Sequence, residues 1–167
     1  MRTMLVGNIL APPELPPYDA VATDPPWGQG KVTYFSHLAH EPVPTFDEML
    51  TALKRLIGNR PSLILMGNRW VTDVQATLGR ESCVWPCTYS MQSPCSLLVV
   101  PPANNPCAPN VNWKDAMSAG LRALPAQATV FDPFAGYGTI GRLCDGLSLS
   151  YVGLELNRSR ARRSGLL

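Results

Sequence analysis

The sequence predicts an α/β sandwich on a mostly parallel sheet, with an antiparallel hairpin at one edge. Three observations carry this. Short apolar runs that read as strands alternate with segments of helical period. Two consecutive strands, over 83–91 and 95–102, leave no room for a crossover helix, so they pair as a hairpin or break the pattern. The residues that bear chemistry fall at strand ends, where open sheets of this kind bind ligands.

Each element has its own local signal. "TMLVGN" (3–8) is a short apolar run closed by Gly-Asn, and "YDAVATD" (18–24) is a strand stopped by Pro25. Residues 28–45 read as a long polar loop. "PTFDEMLTALKRLIG" (44–58) is a helix, with Thr45 as N-cap, acids in its first turn, and Gly58 after its basic end. "SLILMGN" (62–68) is a buried strand. "RWVTDVQATLG" (69–79) repeats Trp70, Val71, Val74 and Leu78 at helical spacing. After the hairpin, 110–125 is helical and ends at Pro125. "ATVFDPFAG" (128–136) is strand and turn, 138–147 helix, 150–157 strand, and 158–167 begins a last helix.

Composition narrows the class. The chain has 167 residues, 46% of them hydrophobic, which suits one globular domain over 1–167. Its longest apolar runs fall far short of the ~20 residues of a membrane span, and "MRTMLVGNIL" is too weakly apolar for a secretory signal. A soluble, cytoplasmic protein is expected. The 17 prolines punctuate the chain between apolar segments rather than forming a linker. Net charge is only +2, but Arg158, Arg160, Arg162 and Arg163 crowd the last ten residues. They form either a solvated face or a phosphate contact. Five scattered cysteines read as buried free thiols. Cys83 and Cys87 lack a second tight pair, and His37 and His40 lack a third ligand, so no metal site is expected.

Two strand ends stand out. In "FDPFAGYGTIG" a strand ends at Asp132. The turn through Pro133, Phe134 and Gly136 then lets a ligand approach the backbone, and a helix opens near Gly138, with Thr139 in its first turn. The spacing is neither the dinucleotide fingerprint nor a P-loop. "LELN" closes the next strand, where Glu155 can accept hydrogen bonds from ribose hydroxyls and Asn157 can cap the basic helix. A glycine turn beside such an acid suggests a ligand containing a nucleoside. In "DPPW", Pro25 and Pro26 make a rigid turn without N–H donors, so their carbonyls are free to accept. Trp27 offers a flat face for a base, and Asp24 with the Pro25 carbonyl can hold an exocyclic amino group.

Together these residues resemble the S-adenosylmethionine-dependent amino-methyltransferases that modify the exocyclic nitrogen of adenine or cytosine. "DPPW" is similar to their (D/N/S)PP(Y/W/F) catalytic motif, "DPFAGYGTIG" to their methionine-binding motif, and "YVGLELN" to the strand with the ribose acid. The catalytic motif comes first, an order that resembles the circularly permuted β-class. The resemblance implies a Rossmann-like methyltransferase sandwich and S-adenosyl-L-methionine as cofactor. The adenine would lie near Asn8, which stands where an Asp is usual, with Ile9 packed on its ring. "DPPW" with "PTFDEM" and "SLILMGN" also resembles the branch of the eukaryotic mRNA adenine methyltransferases.

Asp24, rather than Ser, resembles the adenine-N6 enzymes more than the cytosine-N4 ones, and DNA is the expected substrate. RNA, cytosine, or an inactive cofactor-binding subunit are the alternatives. The sizeable target-recognition insertion usual in the β-class is missing. Recognition then falls to the loops 28–45 and 101–110 and to the basic C-terminal segment, including Arg158 and Arg162, or to a second copy or partner subunit. Lys31, Tyr34 and His37 are candidates to close over the base, or are ordinary loop polarity.

Overall fold

The computed structural model describes residues 1–89, 93–108 and 110–166. Strands β1 (Arg2–Val6), β2 (Ala20–Thr23), β3 (Ser62–Gly67), β4 (Cys83–Thr88), β5 (Pro94–Val100), β6 (Thr129–Asp132) and β7 (Ser150–Glu155) form one sheet. Its order is β1-β7-β6-β2-β3-β5-β4. The first five strands in that order run parallel. β5 is antiparallel to both β3 and β4, so the expected hairpin is present and β4 again runs in the direction of β3. The last two positions of the strand expected over 83–91 lie outside the described residues, as does Pro109 of the loop 101–110.

Helices α1 (Gln29–Ala39), α2 (Phe46–Ile57) and α3 (Val71–Leu78) cover one face, and α4 (Trp113–Arg122), α5 (Thr139–Asp145) and α6 (Arg158–Arg163) the other. The strands sort their side chains by parity. Ala22, Leu63 and Leu65 join the core beneath α4 and α5. Val21, Ile64 and Met66 join the core beneath α2 and α3. Central strands of a parallel sheet are covered on both faces, hence their unbroken apolar runs. A fully buried Leu or Ile, such as Leu53 or Ile64, contributes about 2 kcal/mol through its removal from water.

α2 forms as its sequence predicts. Thr45 and Glu48 make a reciprocal capping box, and Gly58 closes the helix at φ 53. Residues 28–45 correct the loop expectation, because α1 occupies most of that span. Gly28 caps α1 without a side-chain hydrogen bond, and its first turn has no acid, so the usual start signals are missing. Burial of Val32 in the core that also holds Val21, Ile64 and Met66 keeps the helix in place.

The thiols divide. Cys87, Cys95 and Cys144 are buried, whereas Cys83 and Cys107 are only partly so. Cys87 and Cys95 face each other across β4 and β5 with their sulfurs 3.4 Å apart. Cys83 and Cys87 are four positions apart on one strand, about 13 Å of rise, too far to share one metal ion. Among the described residues no helix is long and apolar enough to cross a membrane.

Candidate active site

The chain leaves β2 and β6 toward opposite ends of the sheet. From β6 it moves through α5 to β7, and from β2 through α1 and α2 to β3. This reversal opens a crevice at the carboxyl edge of the adjacent strands β6 and β2. A cleft of about 510 Å3 lies there. Its lining brings together Asn8 and Ile9 after β1, Glu155 at the end of β7, Asp132–Gly136 after β6, and Asp24–Trp27 after β2.

β2 stops where it does because Pro25 and Pro26 cannot donate to a ladder. The tight turn points the Trp27 indole back at its own motif, where Nε1 donates to Asp24 Oδ1 at 3.0 Å. The second oxygen, Oδ2, accepts from the Tyr89 hydroxyl at 2.9 Å. Loss of solvation pushes the Asp24 carboxyl up to about 6, against the opposing pull of these two donors. Tyr89 contacts Trp27 edge-on, with centroids 5.2 Å apart, and stacks on Trp113 at 5.6 Å and 13°. Three aromatic rings therefore wall the Asp24 end of the cleft.

The other half is held by carboxylates that bind the chain to itself. Asp132 is 1% exposed. Its Oδ1 accepts from Thr23 Oγ1 (2.7 Å) and the Phe134 N–H (3.1 Å), and its Oδ2 from the Tyr151 hydroxyl (3.2 Å). It thus ties β2, β6 and β7 together at the switch point. Burial raises its pKa to about 7. Glu155 accepts from the N–H groups of Gly136 at 2.7 Å and Asn157 at 2.9 Å. It fastens the glycine turn to the next strand end while keeping lone pairs toward the cleft. Gly136 (φ 55) and Gly138 (φ 73) turn the backbone in the left-handed region.

Several sequence candidates lie elsewhere. Asn8 lines the cleft; its Oδ1 accepts from the Leu10 N–H at 2.9 Å and keeps a second lone pair, and among the described residues its amide nitrogen makes no hydrogen bond. Lys31 and Thr139 reach the lining, whereas Gly138, Tyr34, His37, Arg158 and Arg162 do not. The Asn157 side chain caps α6 at Arg160 N and donates to Leu38 O at 2.7 Å, anchoring the end of α1. Sequence reasoning did not single out Tyr89, Trp113, Phe35 or Arg160, all of which line the cleft. Arg160 stood in the basic cluster, but only the fold turns it inward.

No protein-family model matches the chain, and no curated protein matches it closely enough to count as a relative. Among solved structures, M1.HpyAVI is 18% identical, with a TM-score of 0.57 over 89% of this chain and 85% of its own. TTHA0409 of Thermus thermophilus, a proposed DNA modification methylase, is 17% identical, with a TM-score of 0.62 over 98% and 92%. The cytosine-N4-specific PvuII DNA methyltransferase is 11% identical, with a TM-score of 0.62 over 98% and 84%. The chain shares the fold of these proteins. M1.HpyAVI and TTHA0409 have also been solved with S-adenosylmethionine. The expected Rossmann-like methyltransferase sandwich is therefore the observed architecture.

Proposed function

We propose that the protein transfers a methyl group from S-adenosyl-L-methionine to the exocyclic N6 amino group of adenine in DNA. One observation carries the reading: "DPPW" and the glycine turn, 105 or more residues apart in sequence, line one cleft at the switch point. The fold shared with DNA methyltransferases, two of the neighbours having been solved with this cofactor, supports it.

The residues present fit the cofactor. Ile9 is an apolar wall for a purine, and Asn8 has a free amide nitrogen beside it. Glu155 has lone pairs for ribose hydroxyls, and the turn at Gly136 allows close approach of the amino-acid arm. When bound, the cofactor supplies an electrophilic methyl on a sulfonium. The chain's own residues orient the acceptor. Each Asp24 oxygen takes one internal donor and keeps capacity for another. The carboxylate and the Pro25 carbonyl accept from the amino group and aim its lone pair along the line of transfer. The nitrogen gains positive charge as it reacts, and Asp24, with its pKa raised toward 6, can take the released proton. Trp27, Tyr89 and Trp113 offer planar surfaces to a base taken out of its stack.

DNA recognition rests on α1 with Lys31, Tyr34 and His37, on the loop 101–110, and on the exposed Arg158 and Arg162, or on a second copy or partner subunit. The test is transfer of a labelled methyl group to defined DNA and RNA oligonucleotides, followed by nucleoside analysis. N6-methyladenine in DNA is expected. N4-methylcytosine would move the reading toward the chemistry of the PvuII enzyme, and label in RNA alone would overturn DNA as substrate.

A further inference from the structure

Two cations, Lys31 and Arg160, line the cleft, and among the described residues neither makes an ion pair; only Arg160 has a guanidinium fork. Arg160 sits in the first turn of α6, half-buried, and lines the cleft. Its guanidinium lies 4.9 Å from the ring centres of both Phe35, on α1, and Tyr137, in the glycine turn. A side chain built on Gly136 would come within 3.2 Å of its terminal nitrogen, so it overhangs that turn. Among the described residues it makes no ion pair and its guanidinium donates no hydrogen bond. The nearby carboxylates already hold internal donors. Asp132 holds three donors, and Glu155 takes two backbone N–H groups. Flanking aromatics fix the plane of a guanidinium while leaving its donor edge free, which suits bidentate recognition of a carboxylate.

The position of Arg160 identifies the group it meets. The strand ends lining the cleft follow the order β1, β7, β6, β2, about 4.8 Å apart. A ligand with its adenine at Asn8 and Ile9, its ribose at Glu155 and its reactive carbon at Asp24 must carry its amino-acid arm over the β6 turn. That is the turn under Arg160. We infer that Arg160 binds the α-carboxylate of the methionine arm of S-adenosyl-L-methionine. The inference rests on the functional reading above and adds to it a specific anion contact from α6.

Calorimetric titration separates the two. The probes are S-adenosyl-L-homocysteine, which carries the amino-acid arm, and 5′-methylthioadenosine, which lacks it. Wild-type protein is expected to bind both, the first more tightly. Arg160→Met should weaken the homocysteine compound about 10- to 100-fold, the loss of a charge-assisted pair, and leave methylthioadenosine within about two-fold. Arg160→Lys, which keeps the charge but not the fork, should fall between. Unchanged affinity for both probes in Arg160→Met would overturn the inference, as would equal losses for both, which would mean that Arg160 only shapes the cleft. A loss confined to oligonucleotide binding would assign the guanidinium to a phosphate and likewise overturn it. Wild-type protein that binds neither probe would sink the functional reading itself, and the inference with it.

Discussion

Tyr89 donates its hydroxyl to Asp24 Oδ2 at 2.9 Å across 65 residues of sequence, joining the end of the edge strand to the turn after β2. β4 runs in the direction of β3, so its end opens on the same edge of the sheet as the "DPPW" turn. The bond leaves the carboxylate ionisable despite its burial, because a donor to the charged form opposes desolvation.

Removing that donor should show in the pH profile. Tyr89→Phe keeps the stack on Trp113 and the edge contact with Trp27 but deprives Asp24 of one hydrogen bond. A bond to a charged group is worth about 1.5–3 kcal/mol, so the acid limb of methyl transfer should move up by about one to two pH units. In wild-type protein that limb is expected near pH 6. An unmoved limb in Tyr89→Phe would mean that another group governs it.

Replacing the acceptor should separate binding from chemistry. Asp24→Asn keeps the shape of the side chain but removes the charge that faces the reacting nitrogen. Methyl transfer should fall by about 10²–10³-fold, the usual loss for a preorganised electrostatic contact. Affinity for S-adenosyl-L-homocysteine should hold within a few fold, since the residues proposed for the rest of the ligand lie on other strand ends. Single-turnover kinetics and calorimetry on the same preparation check both halves.

The sequence made the strand ends legible because their signals are local. A proline pair stops β2 at Thr23, positive-φ glycines follow β6, and an acid closes β7. It did not reveal α1, whose N-cap offers no capping side chain and whose first turn carries no acid. Nor could it reveal Tyr89 as a partner of Asp24, since that pairing depends on the direction β4 takes beyond β5. The C-terminal arginines show the same limit. Their spacing marks a basic helix, but only packing decides that Arg160 faces the cleft while Arg158 and Arg162 face solvent.

Asp132 makes folding stability depend on pH with a definite sign. Its pKa is raised from the ordinary aspartate value to about 7 in the folded chain. Between those limits the native state holds a proton that the unfolded chain has lost. Stability from this group is therefore highest below the unfolded value and falls as pH rises through 7. Asp132→Asn should flatten that part of the curve. Its amide oxygen can still accept from Thr23 and Phe134, and its nitrogen can donate to the Tyr151 hydroxyl, which rotates to accept. Urea unfolding at pH 5 and pH 8 should show wild-type protein gaining more than the variant at the lower pH. A parallel dependence in both proteins would remove Asp132 as the cause.

Gly28, the residue after Trp27, makes the sharpest structural prediction. It sits at φ 83 and ψ 170, a region reserved in practice for glycine. A Cβ there would overlap the Trp70 ring, and Trp70 is itself packed on Phe46 at 5.0 Å. Its carbonyl also accepts from the Lys31 and Val32 N–H groups, so it starts α1. Backbone strain of about 1–3 kcal/mol adds to overpacking of about 1–3 kcal/mol. Gly28→Ala should therefore destabilise the protein by about 2–6 kcal/mol and reduce methyl transfer with it, through displaced Trp27 and α1. Gly30→Ala is the matched control. It lies inside α1, has no positive φ, and its Cβ would meet nothing within 4 Å. It should gain up to about 1 kcal/mol from the loss of unfolded-state freedom. Equilibrium unfolding of the pair checks both signs, and two equal changes would mean that the turn after Trp27 is not held as described.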